Sequence, residues 1–380
     1  MDERELRKEI IGGARRVVTK VGSSLLVSLG VGLNKAFISD LAEGLAGLKK
    51  EGIEIVMVSS GAIAAGMERL GLTKRPRSIS DLQAAAAIGQ SSLMHVYEEA
   101  FAPWGLKVAQ VLITHDDMRD RKRYINARNT LLTLLELGII PIINENDSVV
   151  VEEIKFGDND LLAALVTSLV DADLLLILTD TPGLYSDKPD QGGELISLVH
   201  KVTKKVEEMA QGTETEIGTG GMFSKVEAAK LAARCGVPTV VTSGRNKNVF
   251  GSIFAGEPTG TLFLPGGQRL RGRKQWIGFT LRPKGRLTLD QGAHEAVMKR
   301  GKSLLPSGIV AVEGNFGRGD LVSCLNPRKE ECARGLVNYD SHELTTIMRC
   351  KSSQIEELLG YKYTDEVIHR DNLVILEEAS

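Results

Sequence analysis

Aromatic residues are scarce: Phe, Tyr and Trp together make up 4 % of the chain. That argues against a β-sandwich packed around large rings. Cysteine occurs only at Cys235, Cys324, Cys332 and Cys350, at no ligand-like spacing. This disfavours a zinc module and a disulfide framework and predicts free thiols. An excess of either charge is also missing. Lys and Arg number 47 against 49 Asp and Glu, so the chain as a whole makes no electrostatic case for binding nucleic acid or an anionic membrane. The longest apolar region, 161–178, is broken by Asp171 and Asp173 and is too polar to span a bilayer. Residues 1–16 are of mixed charge and lack the apolar core of a signal peptide. A cytoplasmic protein with no membrane partner is expected. No G-x-x-x-x-G-K-[ST] loop occurs either, so a nucleotide would need a different cradle.

Glycine, in contrast, is abundant at 40 residues, as tight strand-to-helix turns require. A length of 380 residues suggests two or three domains. Short apolar runs at 17–21, 53–59, 108–114, 139–143, 174–178 and 239–242 predict strands. Helical spacing appears between them at 37–50, 128–137, 160–169 and 224–235. Continuous apolar strands alternating with helices predict a mainly parallel sheet covered on both faces, with ligands at the carboxyl ends of its strands. Near Pro265 the pattern changes. A Gly- and Arg-rich stretch reads as a linker, and short alternating runs at 286–289, 308–313, 321–325 and 335–339 predict a small β-rich domain.

Six strand ends or helix starts hold residues able to do chemistry. Lys20 precedes Gly22-Ser23-Ser24, either as a phosphate-binding point charge or as a solvated lysine at a structural turn. Ser59-Ser60-Gly61-Ala62 opens a helix whose small residues suit an anion or close helix packing equally. Asn144-Glu145-Asn146-Asp147 is followed ten residues on by Gly157-Asp158-Asn159-Asp160. Asp158 or Asn159 could cap the helix, and Asp147, Asp158 and Asp160 are hard donors that also leave a metal reading open. Thr179-Asp180 leaves a strand into a turn. Gly218-Thr219-Gly220-Gly221 with Lys225 opens a helix, a strong anion site on physical grounds.

In their order along the chain, these motifs resemble the amino acid kinase superfamily, and within it the branch that phosphorylates the side-chain carboxylate of glutamate at the start of proline biosynthesis. The stretches Leu304-Leu305-Pro306-Ser307-Gly308 and Gly314-Asn315-Phe316-x-Arg318-Gly319-Asp320 are similar to a PUA domain. The resemblance implies a three-layer α/β/α fold with a mainly parallel sheet over 14–266, a linker at 267–284, a β-rich PUA domain at 285–363 and a tail at 364–380. It implies that Lys20 and Lys225 flank the transferring phosphoryl group while Asp160 holds them. Ser60, Asp147 and Asn159 would bind L-glutamate. Lys20, Thr179, Asp180, Thr219, Gly220, Gly221, Met222, Phe223, Ser224 and Lys225 would bind ATP, with Phe223 and Ser224 at permissive positions. Mg²⁺ would arrive with ATP, without a protein metal site. Further implications are proline as feedback inhibitor, a homodimer or homotetramer, hand-over to glutamyl phosphate reductase, and RNA as a PUA ligand that net charge does not support. Rival readings are a sibling acetylglutamate, aspartate or uridylate kinase, an RNA-modifying protein, and a sensor on an inactive kinase scaffold.

Overall fold

Strands made almost entirely of Val, Ile and Leu are stable only with cover on both faces, and these runs form the middle of one large sheet. The structure, a computed structural model, describes residues 2–28, 32–149, 159–187, 192–211, 221–266 and 283–376. It divides into two units, Met1–Arg269 and Leu270–Ser380. The first unit contains β1 (Arg16–Val21), β2 (Val27–Ser28), β3 (Gly32–Leu33), β4 (Glu54–Val58), β5 (Val108–Ile113), β6 (Ile140–Glu145), β7 (Leu174–Thr179), β8 (Leu198–Val199), β9 (Thr239–Ser243) and β10 (Thr261–Phe263). Eight of these form a sheet in the order β5-β6-β4-β1-β7-β9-β10-β8, while β2 pairs with β3. Among the described residues, only β10 against β9 is antiparallel in the large sheet. The six expected strands match to within two residues.

The helices follow from local signals. Lys35–Lys50 starts where the Asn34 side chain accepts the Phe37 N–H at 3.1 Å. It buries Ile38, Leu41, Ala42, Leu45 and Leu48 on one face. Fully burying a side chain such as Leu45 stabilises by about 1.5–3 kcal/mol. The helix expected at 128–137 begins earlier, as Arg121–Glu136, because Asp120 caps the Arg123 N–H at 2.9 Å. The helix Ile79–Phe101 was not anticipated; the run Ala84–Ala87 and the polar Gly89–Ser92 interrupt the spacing of its large apolar residues. It packs against Ala62–Arg69 through glycines: a Cβ on Gly66 would lie 1.8 Å from the Ala85 carbonyl oxygen, and one on Gly89 1.8 Å from that of Ala62. Close packing therefore accounts for the small residues after Ser60. Ahead of the expected domain start, Glu3–Gly12 is also helical and carries the fully buried Arg7.

The second unit is a five-stranded sheet in the order β12-β11-β13-β14-β15, formed by β11 (Gly285–Leu289), β12 (Ile309–Gly314), β13 (Leu321–Leu325), β14 (Glu331–Leu336) and β15 (Leu373–Ile375). The strand expected at 335–339 lies earlier, at β14. Asn326 accepts the N–H groups of Arg328 and Glu330 in a tight turn that starts the return strand at once. The expected tail also needs correction. β15 lies within 364–380 and pairs with β14, and the Tyr339 hydroxyl donates to the Thr364 carbonyl at 2.5 Å. The expected linker lies largely outside the described residues.

Candidate active site

The parallel register brings the polar strand ends to one edge. Lys20 sits opposite Val58 of β4 and Ile177 of β7, and the Ser59 N–H donates to the Ile143 carbonyl at 2.8 Å. Residues just past β1, β4, β6 and β7 therefore share the carboxyl edge of the sheet.

Asp160, in the first turn of the helix Asn159–Leu169, is completely buried. One carboxylate oxygen lies 2.5 Å from Lys20 Nζ, and the other lies 3.1 Å from Lys225 Nζ and accepts the Ser224 hydroxyl at 2.7 Å. Lys20 and Lys225 are 5 % and 4 % exposed, which is rare for lysine and requires pairing. Burial works to raise the Asp160 pKa, but the charges of Lys20 and Lys225 outweigh it and hold the carboxyl well below its usual range. Two cations against one anion leave these three groups with a net positive charge, an arrangement that favours an incoming anion.

Lys225 and Ser224 lie on the helix Met222–Arg234, which begins at Gly221. Both reach back to the Gly221 carbonyl, Ser224 Oγ at 2.9 Å and Lys225 Nζ at 3.4 Å. Ser224 is thus a direct partner of Asp160 rather than a permissive position, whereas Phe223 is 43 % exposed. Met222 is buried in the first turn of the same helix. Thr179 ends β7, its hydroxyl donating to Asp180 at 3.1 Å, and its carbonyl accepts the Gly244 N–H at 2.9 Å. Thr219 and Gly220 lie outside the described residues, as does Asp158.

Beside this cluster the Asn159 amide NH₂ reaches three oxygens: the Ser59 carbonyl at 2.8 Å, Ser60 Oγ at 2.9 Å and Asn144 Oδ1 at 3.0 Å. Gly61, at φ 95°, makes the turn that exposes Ser60 ahead of the next helix. Asp147 stands half-buried past the end of β6. Burial, then the nearby charge of Glu145, pushes its pKa up to about 6, against an opposing pull from Arg75. Glu145 is itself buried and pairs with His115 Nδ1 at 3.1 Å.

Two partners of the site went unassigned in the sequence. Gln90 Oε1 accepts from Asn144 Nδ2 at 2.9 Å, and the Tyr97 hydroxyl bonds Ser59 Oγ at 2.9 Å. They stand seven residues apart on one face of Ile79–Phe101. The polar Gln90 beside Gly89 in an alanine-rich run was the available signal.

A model of the amino acid kinase family matches residues 15–243, and a PUA domain model matches 285–359. The chain is 52 % identical over 373 residues to glutamate 5-kinase of Geobacter sulfurreducens, covering 98 % of this chain and 100 % of that one. It is 50 % identical over 371 residues to the same-named protein of Cupriavidus metallidurans, covering 97 % and 100 %. Among solved structures, carbamate kinase from Giardia lamblia bound to AMP-PNP is similar with a TM-score of 0.48 at 15 % identity, over 67 % of this chain and 99 % of that one. On its sequence matches the chain belongs to the amino acid kinase family, among the glutamate 5-kinases, and carries a PUA domain.

Proposed function

We propose that the chain carries out its family's reaction, ATP-dependent phosphorylation of the γ-carboxylate of L-glutamate at the start of proline biosynthesis, at the shared carboxyl edge of β1, β4, β6 and β7. The buried Lys20–Asp160–Lys225 cluster is the observation that carries this reading. A glutamate γ-carboxylate, with a pKa of about 4.3, is already ionised at neutral pH and needs no general base. Its approach to an anionic triphosphate is the obstacle. One carboxylate oxygen bonds the γ-phosphorus as the bond to the ADP oxygen breaks, giving γ-glutamyl phosphate and ADP. Lys20 and Lys225 stabilise the charge that gathers on the transferring group, and Asp160 with Ser224 keeps both ammonium groups in place before substrate arrives.

Ser60, Asp147 and Asn159 hold glutamate. The ionised Asp147 and the Asn159 carbonyl oxygen suit its ammonium group, and the Ser60 hydroxyl suits a carboxylate. Thr179, Asp180 and the segment from Thr219 to Lys225 hold ATP. The Asp160 carboxylate is engaged by two lysines and a hydroxyl, which fits Mg²⁺ entering on the triphosphate rather than in a protein cage. When bound, the ion neutralises phosphate charge. Residues 14–266 would carry this chemistry, in the cytoplasm, in a homodimer or homotetramer that passes its labile product to glutamyl phosphate reductase. The segment 285–363 would be the place for any RNA contact. No described helix is long and apolar enough to cross a membrane.

A hydroxamate-trapping assay with ATP and a panel of acidic amino acids tests the reading. Trapped product is expected with L-glutamate, and its loss is expected in Lys20→Ala and Lys225→Ala. Equal turnover of aspartate or acetylglutamate would overturn the substrate assignment, and near-normal kcat in either variant would remove that lysine from the chemistry.

A further inference from the structure

Gln90 is 8 % exposed on the helix Ile79–Phe101 and belongs to none of the motifs above. Its Oε1 accepts from Asn144 Nδ2 at 2.9 Å, and its Nε2 is buried with no hydrogen-bond partner among the described residues. Backbone groups set the orientation of the amides it touches. Asn144 Oδ1 accepts the Glu145 N–H at 2.9 Å, so the other end of Asn144 is its NH₂ group and Gln90 must present oxygen to it. The same Oδ1 accepts from Asn159 Nδ2, and the Ser59 carbonyl likewise requires the NH₂ end of Asn159. Asn159 Oδ1 is then left as an acceptor to which no described residue donates.

We propose that Gln90 is a positioning residue for L-glutamate: through Asn144 it reinforces the hold of the Ser59 carbonyl on the Asn159 amide, keeping a carbonyl oxygen, not an NH₂ group, toward the substrate's ammonium. Close approach of the two helices at Gly66 and Gly89 brings Gln90 to the end of β6. Removing the Gln90 oxygen leaves the Asn144 NH₂ unmatched and Asn144 held at its oxygen alone, by the Glu145 N–H and Asn159, so the amide pair is less firmly placed. The pocket's preference for an acceptor at the ammonium position weakens while the lysine cluster is untouched. The inference rests on the reading that Asn159 binds glutamate.

Steady-state kinetics on the full chain test it, with glutarate, which lacks the ammonium group, as a competitive inhibitor. In Gln90→Met the KM for glutamate is expected to rise about tenfold, the size of one lost hydrogen bond. Both kcat and the KM for ATP should stay within about twofold, and so should the glutarate inhibition constant. Gln90→Asn, which keeps an amide but withdraws it by one methylene, should behave alike and decides the matter if Gln90→Met does not fold. An unchanged glutamate KM overturns the proposal, as does equal weakening of glutarate or ATP, which a merely structural residue would produce. Asn159→Ala separates the two levels. If it leaves the glutamate KM unchanged, the pocket reading itself fails; if it raises that KM while the Gln90 variants do not, only the role of Gln90 falls.

Discussion

Replacing Asp160 by asparagine removes one charge and almost no volume. The native carboxylate is fully buried and meets Lys20 at 2.5 Å, Lys225 at 3.1 Å and the Ser224 hydroxyl at 2.7 Å. Asparagine keeps an oxygen for Ser224 but leaves two buried ammonium groups without the anion between them. Removing one partner of a buried ion pair costs about 3–5 kcal/mol, and deprotonation of one lysine relieves part of that. A loss of roughly 3 kcal/mol in unfolding free energy is therefore expected, measured by urea denaturation at neutral pH. Turnover should fall by a factor on the order of 100 or more, because a deprotonated or displaced lysine no longer stabilises the transferring phosphoryl group. The pH dependence separates charge from shape. Burial raises the Asp160 pKa but the two lysines depress it further, so its folded value lies below the unfolded one. The stability it adds is complete above the unfolded value and disappears as pH falls through the folded value. Wild type and Asp160→Asn should differ most at neutral pH, begin to converge below about pH 4 and meet only near the folded value of about 2. A neutral-pH difference under about 1 kcal/mol, or one that does not shrink in acid, refutes the reasoning.

Three further outcomes are expected. Burial and the charge of Glu145 hold Asp147 at a pKa of about 6, and only its ionised form suits an ammonium ligand, so the KM for glutamate should rise below that pH, about tenfold by one unit lower. Glu145→Gln should move this break toward acid, and a flat glutamate KM across the range would dismiss Asp147 as a ligand. Arg7 donates to Glu3 and to the carbonyls of Thr259, Ser197 and Gly260, so Arg7→Met should lower unfolding free energy by about 3–5 kcal/mol with little change in glutamate KM; a loss under about 1 kcal/mol contradicts the clamp. Proline shares the α-carboxylate and α-nitrogen of glutamate and should inhibit competitively against it, with Asn159→Ala weakening both ligands; inhibition that excess glutamate cannot reverse would place proline elsewhere.

The parts of the molecule legible in the sequence were those governed by local rules. Val17, Val18 and Val21, like Leu174 to Leu178, are buried, and a run of such residues has no stable placement except a covered central strand. The last two strands of the sheet order, β10 and β8, have three and two residues, too few to carry a period, and their pairing depends on neighbours distant in the chain. Ile79–Phe101 was missed for a related reason: at its centre Ala85, Ala86 and Gly89 pack closely against another helix, so the contrast between large apolar and polar faces lapses between Leu82 and Leu93. The same division runs through the site. Lys20, Asp160 and Lys225 stood out one by one as charges at strand ends and helix starts, but that one buried carboxylate would divide its two oxygens between residues 140 positions before it and 65 after it is a property of the sheet. Ser224 looked interchangeable, like Phe223 beside it. Its constraint comes from Asp160, across the sheet edge. Gln90 shows the limit most sharply. What restricts it is the Glu145 backbone N–H, acting through Asn144, so the demand for an oxygen at that position exists only after β6 and the helix have met.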